Sequence, residues 1–386
     1  MLQVLEGSIA VAEAVKVCKV DVISAYPITP QTHIVEKLAE MVAEGEIDSE
    51  YICVESEFSA LSACLGASAA GSRVYSATSS QGLILMAEVC FNVAGMRQPV
   101  VMTIANRAMG APLSIWNDQQ DSLTLRDSGW IQVYAEDVQE VTDLHIIAYK
   151  VCEDHRVLLP AFVCFDGFVL SHTYEPVEIP DQGLVDKYLP AYNPYNMLDA
   201  KQPLSMGMYA TPDYYHEFRY EHEMAMQRAA GVWREAGTEF AKIFSRDYSQ
   251  AVEGYRLEDA DIALVALGSV CGTIKDAIDE MRNDGLKVGL LKIRVYRPFP
   301  ADDIKKALSG IKKIAVVDKN LSSGSRMLGI VGLEVKDAIN DSSVSVLSYV
   351  TGLGGRDIRK SDIRKIVNAC NEGKGNMFSG LREEIL

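Results

Sequence analysis

The chain has 386 residues, 48% of them hydrophobic. Single cores stop growing near ~250–300 residues, so two domains are expected. Thirty-seven basic against 53 acidic residues leave a net charge of −16, which excludes nucleic acid and anionic membranes as default partners.

The most apolar stretch, residues 82–96, is broken by Glu88 and Asn92 and falls short of the ~20 residues of a membrane span. The N-terminus shows no signal-peptide pattern. From there the predicted elements alternate over the first 166 residues. β-rich runs at 21–25, 50–54, 73–78, 99–105, 131–135 and 161–165 are mostly separated by helical patterns. Ile34, Leu38 and Met41 recur at helical spacing over 33–42, between Pro30 and Gly45. An Ala-rich helix over 58–70 stops at Gly71. A helix over 81–93 follows Ser79 and Ser80, which can cap it. Strands alternating with helices imply a parallel sheet covered on both faces.

Residues 168–212 lose this rhythm. Pro176, Pro180, Pro190, Pro194, Pro203 and Pro212 punctuate a predicted long extended connection. An amphipathic helix follows over 213–246, with Phe218, Met224, Met226, Val232, Trp233 and Phe240. A second alternating unit begins at Asp261, with strands at 262–267, 287–295, 313–317 and 344–350. The expected fold class is α/β, two doubly wound parallel-sheet domains at 1–235, connection included, and 258–386.

The eight cysteines are Cys18, Cys53, Cys64, Cys90, Cys152, Cys164, Cys271 and Cys370. None forms a Cys-x-x-Cys pair, so the chain reads as a reduced, cytoplasmic protein with no Fe–S cluster or zinc site of its own. His216-Glu217 and His222-Glu223 lack the second histidine of a zinc-protease helix. Nucleophile elbows, P-loops and dinucleotide fingerprints are missing.

In a parallel sheet, ligands bind outside the carboxyl ends of the strands. The segments after the first four strands are Tyr26-Pro27-Ile28-Thr29-Pro30, Glu55-Ser56-Glu57, Ser79-Ser80-Gln81-Gly82 and Asn106-Arg107-Ala108-Met109-Gly110. All four would share one rim. Arg107 offers a fork of donors suited to a carboxylate. Thr29 holds a hydroxyl between two rigid prolines. Glu57 starts a helix, where it either favours the helix dipole or hydrogen-bonds a heterocycle nitrogen.

With these segments and the long motif at 113–130, the chain resembles the α subunits of 2-oxoacid:ferredoxin oxidoreductases, most closely the four-subunit archaeal-type pyruvate:ferredoxin oxidoreductases. Phe165-Asp166-Gly167-Phe168, Ser171-His172, residues 212–220, Arg297-Pro298-Phe299-Pro300 and residues 352–357 extend the likeness over nearly the whole chain. The resemblance implies a thiamine diphosphate pyrimidine-binding domain followed by a transketolase C-terminal-like domain. It implies reversible oxidative decarboxylation of pyruvate to acetyl-CoA and CO₂ with reduction of ferredoxin.

The resemblance implies that Glu57, preferred over Glu55, takes the catalytic role at the cofactor ring. It implies too that Thr29 and Arg107 hold the 2-oxoacid, and that Tyr26, Pro27, Ile28, Ser80 and Gln81 join Glu57 around thiamine diphosphate. The partners implied are β, γ and δ subunits, ferredoxin, pyruvate and coenzyme A. Asp166-Gly167 lacks the glycine before the aspartate that a diphosphate–Mg²⁺ motif needs, because Phe165 stands there. Mg²⁺ and 4Fe–4S clusters are therefore expected on partner subunits. Two alternatives stay open: a branched-chain or other, longer 2-oxoacid, with Ile115 and Trp116 as pocket-lining positions that would decide it, and a noncatalytic scaffold. Phe58 either narrows the pocket or packs.

Overall fold

The structure is a computed structural model and describes residues 2–386. Its strands, in chain order, are β1 Leu2–Glu6, β2 Val22–Ala25, β3 Glu50–Cys53, β4 Val74–Thr78, β5 Val101–Asn106, β6 Ile131–Tyr134, β7 Ala161–Asp166, β8 Tyr174–Glu178, β9 Val252–Tyr255, β10 Ile262–Ala266, β11 Val288–Ile293, β12 Val295–Arg297, β13 Lys313–Asp318, β14 Ser345–Val350 and β15 Met377–Phe378.

β4, β5 and β7 are buried at every residue, as strands covered by helices on both faces must be. They belong to a seven-stranded sheet of order β12-β6-β7-β5-β4-β2-β3. All its pairings are parallel except β12 with β6. The chain leaves β2 for β3 on one side and returns through β4 on the other, so a topological switch point lies between the β2 and β4 loops. Such a crevice is the ordinary ligand position of an open α/β sheet. The second sheet, β15-β14-β13-β10-β11-β9, is parallel but for β9.

The apolar core on one face of the first sheet runs on into the second unit, where Val100, Met102 and Tyr134 share a cluster with Val265, Leu291 and Tyr296. Burying that joint face is a hydrophobic contribution non-directional in itself. Charged groups fix its orientation. Lys292 Nζ and Arg294 Nε grip buried Glu140 at 2.9 and 2.6 Å. Burial works to raise the Glu140 carboxyl, but the two cations overcome it and hold it at about 2.

Four sequence expectations need correction. The run at 287–295 is two strands: after Ile293 the chain leaves the second sheet, and β12 pairs with β6 of the first. Residues 168–212 are not wholly extended, since β8 forms an antiparallel ribbon with β1 and Gln182–Tyr188 is helical. The proline-rich remainder hid both, and Asp181 caps that short helix by accepting from Leu184 N. The helix over 81–93 is two, Ser80–Leu85 and Ala87–Gly95, joined through Met86, whose N–H is shared between Gly82 and Leu83 carbonyls. Ser79 and Ser80 do not cap it with their side chains. Their hydroxyls donate to Ala105 O and Ala108 O instead, tying the β4 loop to β5. The long helix spans Pro212–Phe244 and buries Val232, Trp233 and Phe240 while Phe218 stays exposed. All eight cysteines are free, seven buried and Cys53 exposed.

Candidate active site

The loops after β2, β3, β4 and β5 meet at one rim, as their order in the sheet requires. Arg107 is buried at the end of β5. Its Nε donates to Ser114 O at 3.0 Å and its Nη1 to Thr29 O at 2.9 Å. Among the described residues its guanidinium has no carboxylate partner within salt-bridge distance, and Nη2 makes no hydrogen bond. Burial draws the guanidinium below its ordinary value, with Asp121 opposing. A buried cation held only by carbonyls keeps donors free for an anionic partner. Thr29 itself is exposed at the mouth of the loop.

Glu57 is the first residue of the helix Glu57–Ala69. Ser56 precedes it as N-cap and accepts from Ser59 N at 3.2 Å. Glu57 is 7% exposed, and its carboxylate makes no hydrogen bond among the described residues. Gly82 explains how it fits: a methyl there would stand 2.6 Å from Glu57 Oε1 and 2.7 Å from Thr78 Oγ1. The two glutamates are thereby separated. Glu55 is exposed and accepts from Ser59 Oγ at 2.7 Å, the main cause of its lowered pKa.

The other anticipated residues divide. Tyr26 and Ile28 are half-buried and Pro27 is exposed. The Tyr26 carbonyl accepts from Gln31 Nε2 at 2.8 Å. Ser80 is buried, with its hydroxyl engaged by Ala108 O and Gln81 Oε1, so it braces the loop. Gln81 lies beside Gly110, where a methyl would come within 2.5 Å of its Nε2. Ile115 and Trp116 are both exposed, and Phe58 keeps 39% of its surface.

Asp121 was passed over as a site residue, although it lies inside the 113–130 motif. It is fully buried and accepts from Ser80 N, Arg107 N, Asn106 Nδ2 and Ser122 N at 2.8–3.0 Å. Burial pushes its carboxyl up to about 7 against those four hydrogen bonds. Asp121→Asn turns one acceptor into a donor, and whichever way the amide is set, it faces two N–H groups. Orphaned buried donors cost ~1–3 kcal/mol each. The variant is expected to lose about 2–6 kcal/mol of stability in urea unfolding; an unchanged midpoint refutes the role.

Buried polar atoms without partners gather at the same strand ends: Thr78 Oγ1, Asn106 Oδ1 and Gln31 Oε1. Native interiors rarely leave such atoms unpaired, and these three lie close to the loops of the rim. Across the domain junction, Asp166 accepts from Lys319 Nζ at 2.9 Å, Ser269 Oγ at 2.5 Å and Asn117 Nδ2 at 3.1 Å. Burial works to raise its carboxyl, and the Lys319 charge overrides it and holds it low. This aspartate is committed to joining the two units, a physical reason beyond Phe165 for its unfitness as a metal ligand.

Two family models match the chain. Residues 13–237 match "Pyruvate flavodoxin/ferredoxin oxidoreductase, thiamine diP-bdg", and residues 260–363 match "Pyruvate:ferredoxin oxidoreductase core domain II". Pyruvate synthase subunit PorA of Methanothermobacter thermautotrophicus is 52% identical over 100% of this chain and 99% of its own. The subunit of the same name from Methanocaldococcus jannaschii is 52% identical over 99% and 98%. Ketoisovalerate oxidoreductase subunit VorA of Pyrococcus abyssi is 47% identical over 94% and 92%. Among solved structures, a 2-oxoglutarate:ferredoxin oxidoreductase from Magnetococcus marinus superposes with a TM-score of 0.71 at 19% identity. It covers 96% of this chain, which spans 65% of that chain's length. The rim of β2–β5 loops thus lies within the segment that matches a thiamine diphosphate-binding model, and the chain belongs to the pyruvate flavodoxin/ferredoxin oxidoreductase family.

Proposed function

We propose that this chain is the α subunit of a heteromeric pyruvate:ferredoxin oxidoreductase that converts pyruvate and coenzyme A reversibly to acetyl-CoA and CO₂. The observation that carries the reading is one rim holding two buried groups without partners: the Arg107 guanidinium without a carboxylate and the Glu57 carboxyl group without a hydrogen-bond donor. A scaffold has no use for either, since a buried polar group left without a partner is costly.

The residues fit the ring half of thiamine diphosphate. Glu57, Thr78 Oγ1 and the space left by Gly82 form a polar cradle that a Cβ would fill. Tyr26, Pro27 and Ile28 on the β2 loop and Ser80 and Gln81 on the β4 loop are the further residues we assign to this half of the cofactor. When bound, this cofactor supplies a nucleophilic ring carbon and an electron sink for loss of CO₂. Glu57 holds a proton at its carboxylate and exchanges it with a ring nitrogen brought to Oε1. Arg107 receives the 2-oxoacid carboxylate on its free Nη2 edge. Thr29 donates its hydroxyl to the same substrate, while its carbonyl keeps the guanidinium in place.

The diphosphate–Mg²⁺ half does not fit here, because Asp166 is tied to Lys319. We assign that half to a β subunit, and the 4Fe–4S clusters and ferredoxin contact to partner β, γ and δ subunits. The first domain, 1–235, then carries the ring site, and 258–386 buttresses it through Asp166. A cytoplasmic complex accords with eight free cysteines.

The isolated chain is expected to show no pyruvate-dependent viologen reduction when coenzyme A, thiamine diphosphate and Mg²⁺ are supplied, and to gain it only on reconstitution with its partners. Turnover by this polypeptide alone overturns the division of the site. A branched-chain 2-oxoacid is the second reading; the 47% identity to a ketoisovalerate oxidoreductase subunit gives it less support than the 52% identity to pyruvate synthase subunits gives the first. Comparing kcat/KM of the complex on pyruvate and 2-ketoisovalerate decides between them.

A further inference from the structure

We infer that Glu6, His33 and His172 form a binding site for a divalent transition metal of the zinc type, fastening the N-terminal ribbon to the substrate loop. One ligand atom from each side chain lies within 4.8 Å of the other two. The three come from separate elements: the end of β1, the first turn of the helix Thr32–Ala43, and the turn between β7 and β8.

The surrounding contacts orient these groups. His33 Nδ1 lies 2.6 Å from Glu6 Oε1. His172 Nδ1 lies 2.7 Å from Ser171 Oγ, which accepts from Phe168 N at 2.8 Å. The His172 ring sits between those of His33 and Phe168, 4.7 Å from each by centroid. Outer partners of this kind fix ring orientation in metal sites.

The backbones beneath two of the ligands are set independently of any metal. Glu6 pairs with Tyr174 in the β1–β8 register. Gly7 N donates to Thr173 O at 3.1 Å and Ser8 N to Ser171 O at 3.0 Å. A side chain at residue 7 would stand 2.0 Å from Leu170 O, so only glycine allows the approach that brings Glu6 beside His172. Metal–ligand bonds of ~2.0–2.2 Å in a tetrahedral site put ligand atoms about 3.3–3.6 Å apart. Small side-chain rotations that open the 2.6 Å Glu6–His33 contact and draw His172 in from within 4.8 Å reach that value.

The donor set selects the metal class. Two imidazoles and one carboxylate suit Zn²⁺, Co²⁺ or Ni²⁺, whereas Mg²⁺ and Ca²⁺ prefer oxygen alone. Three protein ligands leave a fourth position for water. The His33 side chain is 45% exposed, so an ion has a path from solvent. The site also touches the active rim: His33 lies four residues beyond Thr29, and Phe168 packs on Trp116 at 4.5 Å.

The test uses the full chain, stripped with a chelator and titrated with CoCl₂. A saturable visible band at one Co²⁺ per chain, displaced by ZnCl₂, is expected. His33→Gln and His172→Gln should each weaken binding at least about tenfold, as even outer-shell changes cost 10–100-fold. Zn²⁺ should raise the Tm of the wild type more than that of either variant. His33 is on a helix surface, so His33→Gln decides alone if His172→Gln misfolds. Failure of the wild type to bind Co²⁺ overturns the site, and so does binding by folded His33→Gln with wild-type affinity. A bare Glu6–His33 ion pair predicts the first of these results, no Co²⁺ binding by the wild type.

Discussion

Glu57→Gln in the assembled complex is expected to assemble normally and to lose about 10²–10⁴-fold in kcat, the usual scale of general acid–base help. The amide matches the carboxylate in shape, so the contact with Gly82 and the start of the helix Glu57–Ala69 are kept. What it lacks is the ability to take and return a proton. Steady-state turnover against subunit composition by gel filtration measures both halves. The rival carboxylate is already disfavoured by geometry, being exposed and occupied by Ser59 Oγ. Glu55→Gln should therefore leave kcat within about twofold, the smaller consequence of an exposed change. The reverse pattern, with Glu55→Gln dead and Glu57→Gln active, sinks the assignment.

The inner strands of both sheets were legible because each is a short apolar run bounded by turn residues, and burial on two faces allows little else, whereas the edge strands β9 and β15 were not read. From strand order alone the rim followed, since parallel strands place their carboxyl ends together. What escaped was long-range. No local pattern shows that residues 295–297 join a sheet built more than a hundred residues earlier, because a three-residue strand has no period to read. The ribbon of β1 and β8 escaped likewise, its two strands being separated in the chain by β2 through β7. Asp121 was invisible for a different reason. An aspartate in a polar segment reads as solvated, and only the folded chain shows four N–H groups converging on it. Asp166 was read as a poor metal ligand from the residue before it, whereas the decisive group, Lys319, is 153 positions away.

Arg107→Lys is expected to raise the KM for pyruvate roughly ten- to hundredfold while the subunits stay associated. Lysine keeps the charge and loses the planar fork. In the native arrangement Nε and Nη1 are engaged by Ser114 O and Thr29 O, which aims the remaining edge at the space where the carboxylate belongs. A lysine ammonium cannot bind both carbonyls and present a parallel pair of donors as well. Losing a charge-assisted hydrogen bond of ~1.5–3 kcal/mol, at ~1.4 kcal/mol per decade, gives the stated range. The competing role is an interface arginine meeting an acidic group of a partner subunit. The two roles separate cleanly, because an interface arginine lost to lysine weakens association and leaves KM alone. Dissociation of the variant complex at assay concentration, or an unchanged KM, assigns Arg107 to the interface and removes it from the substrate site.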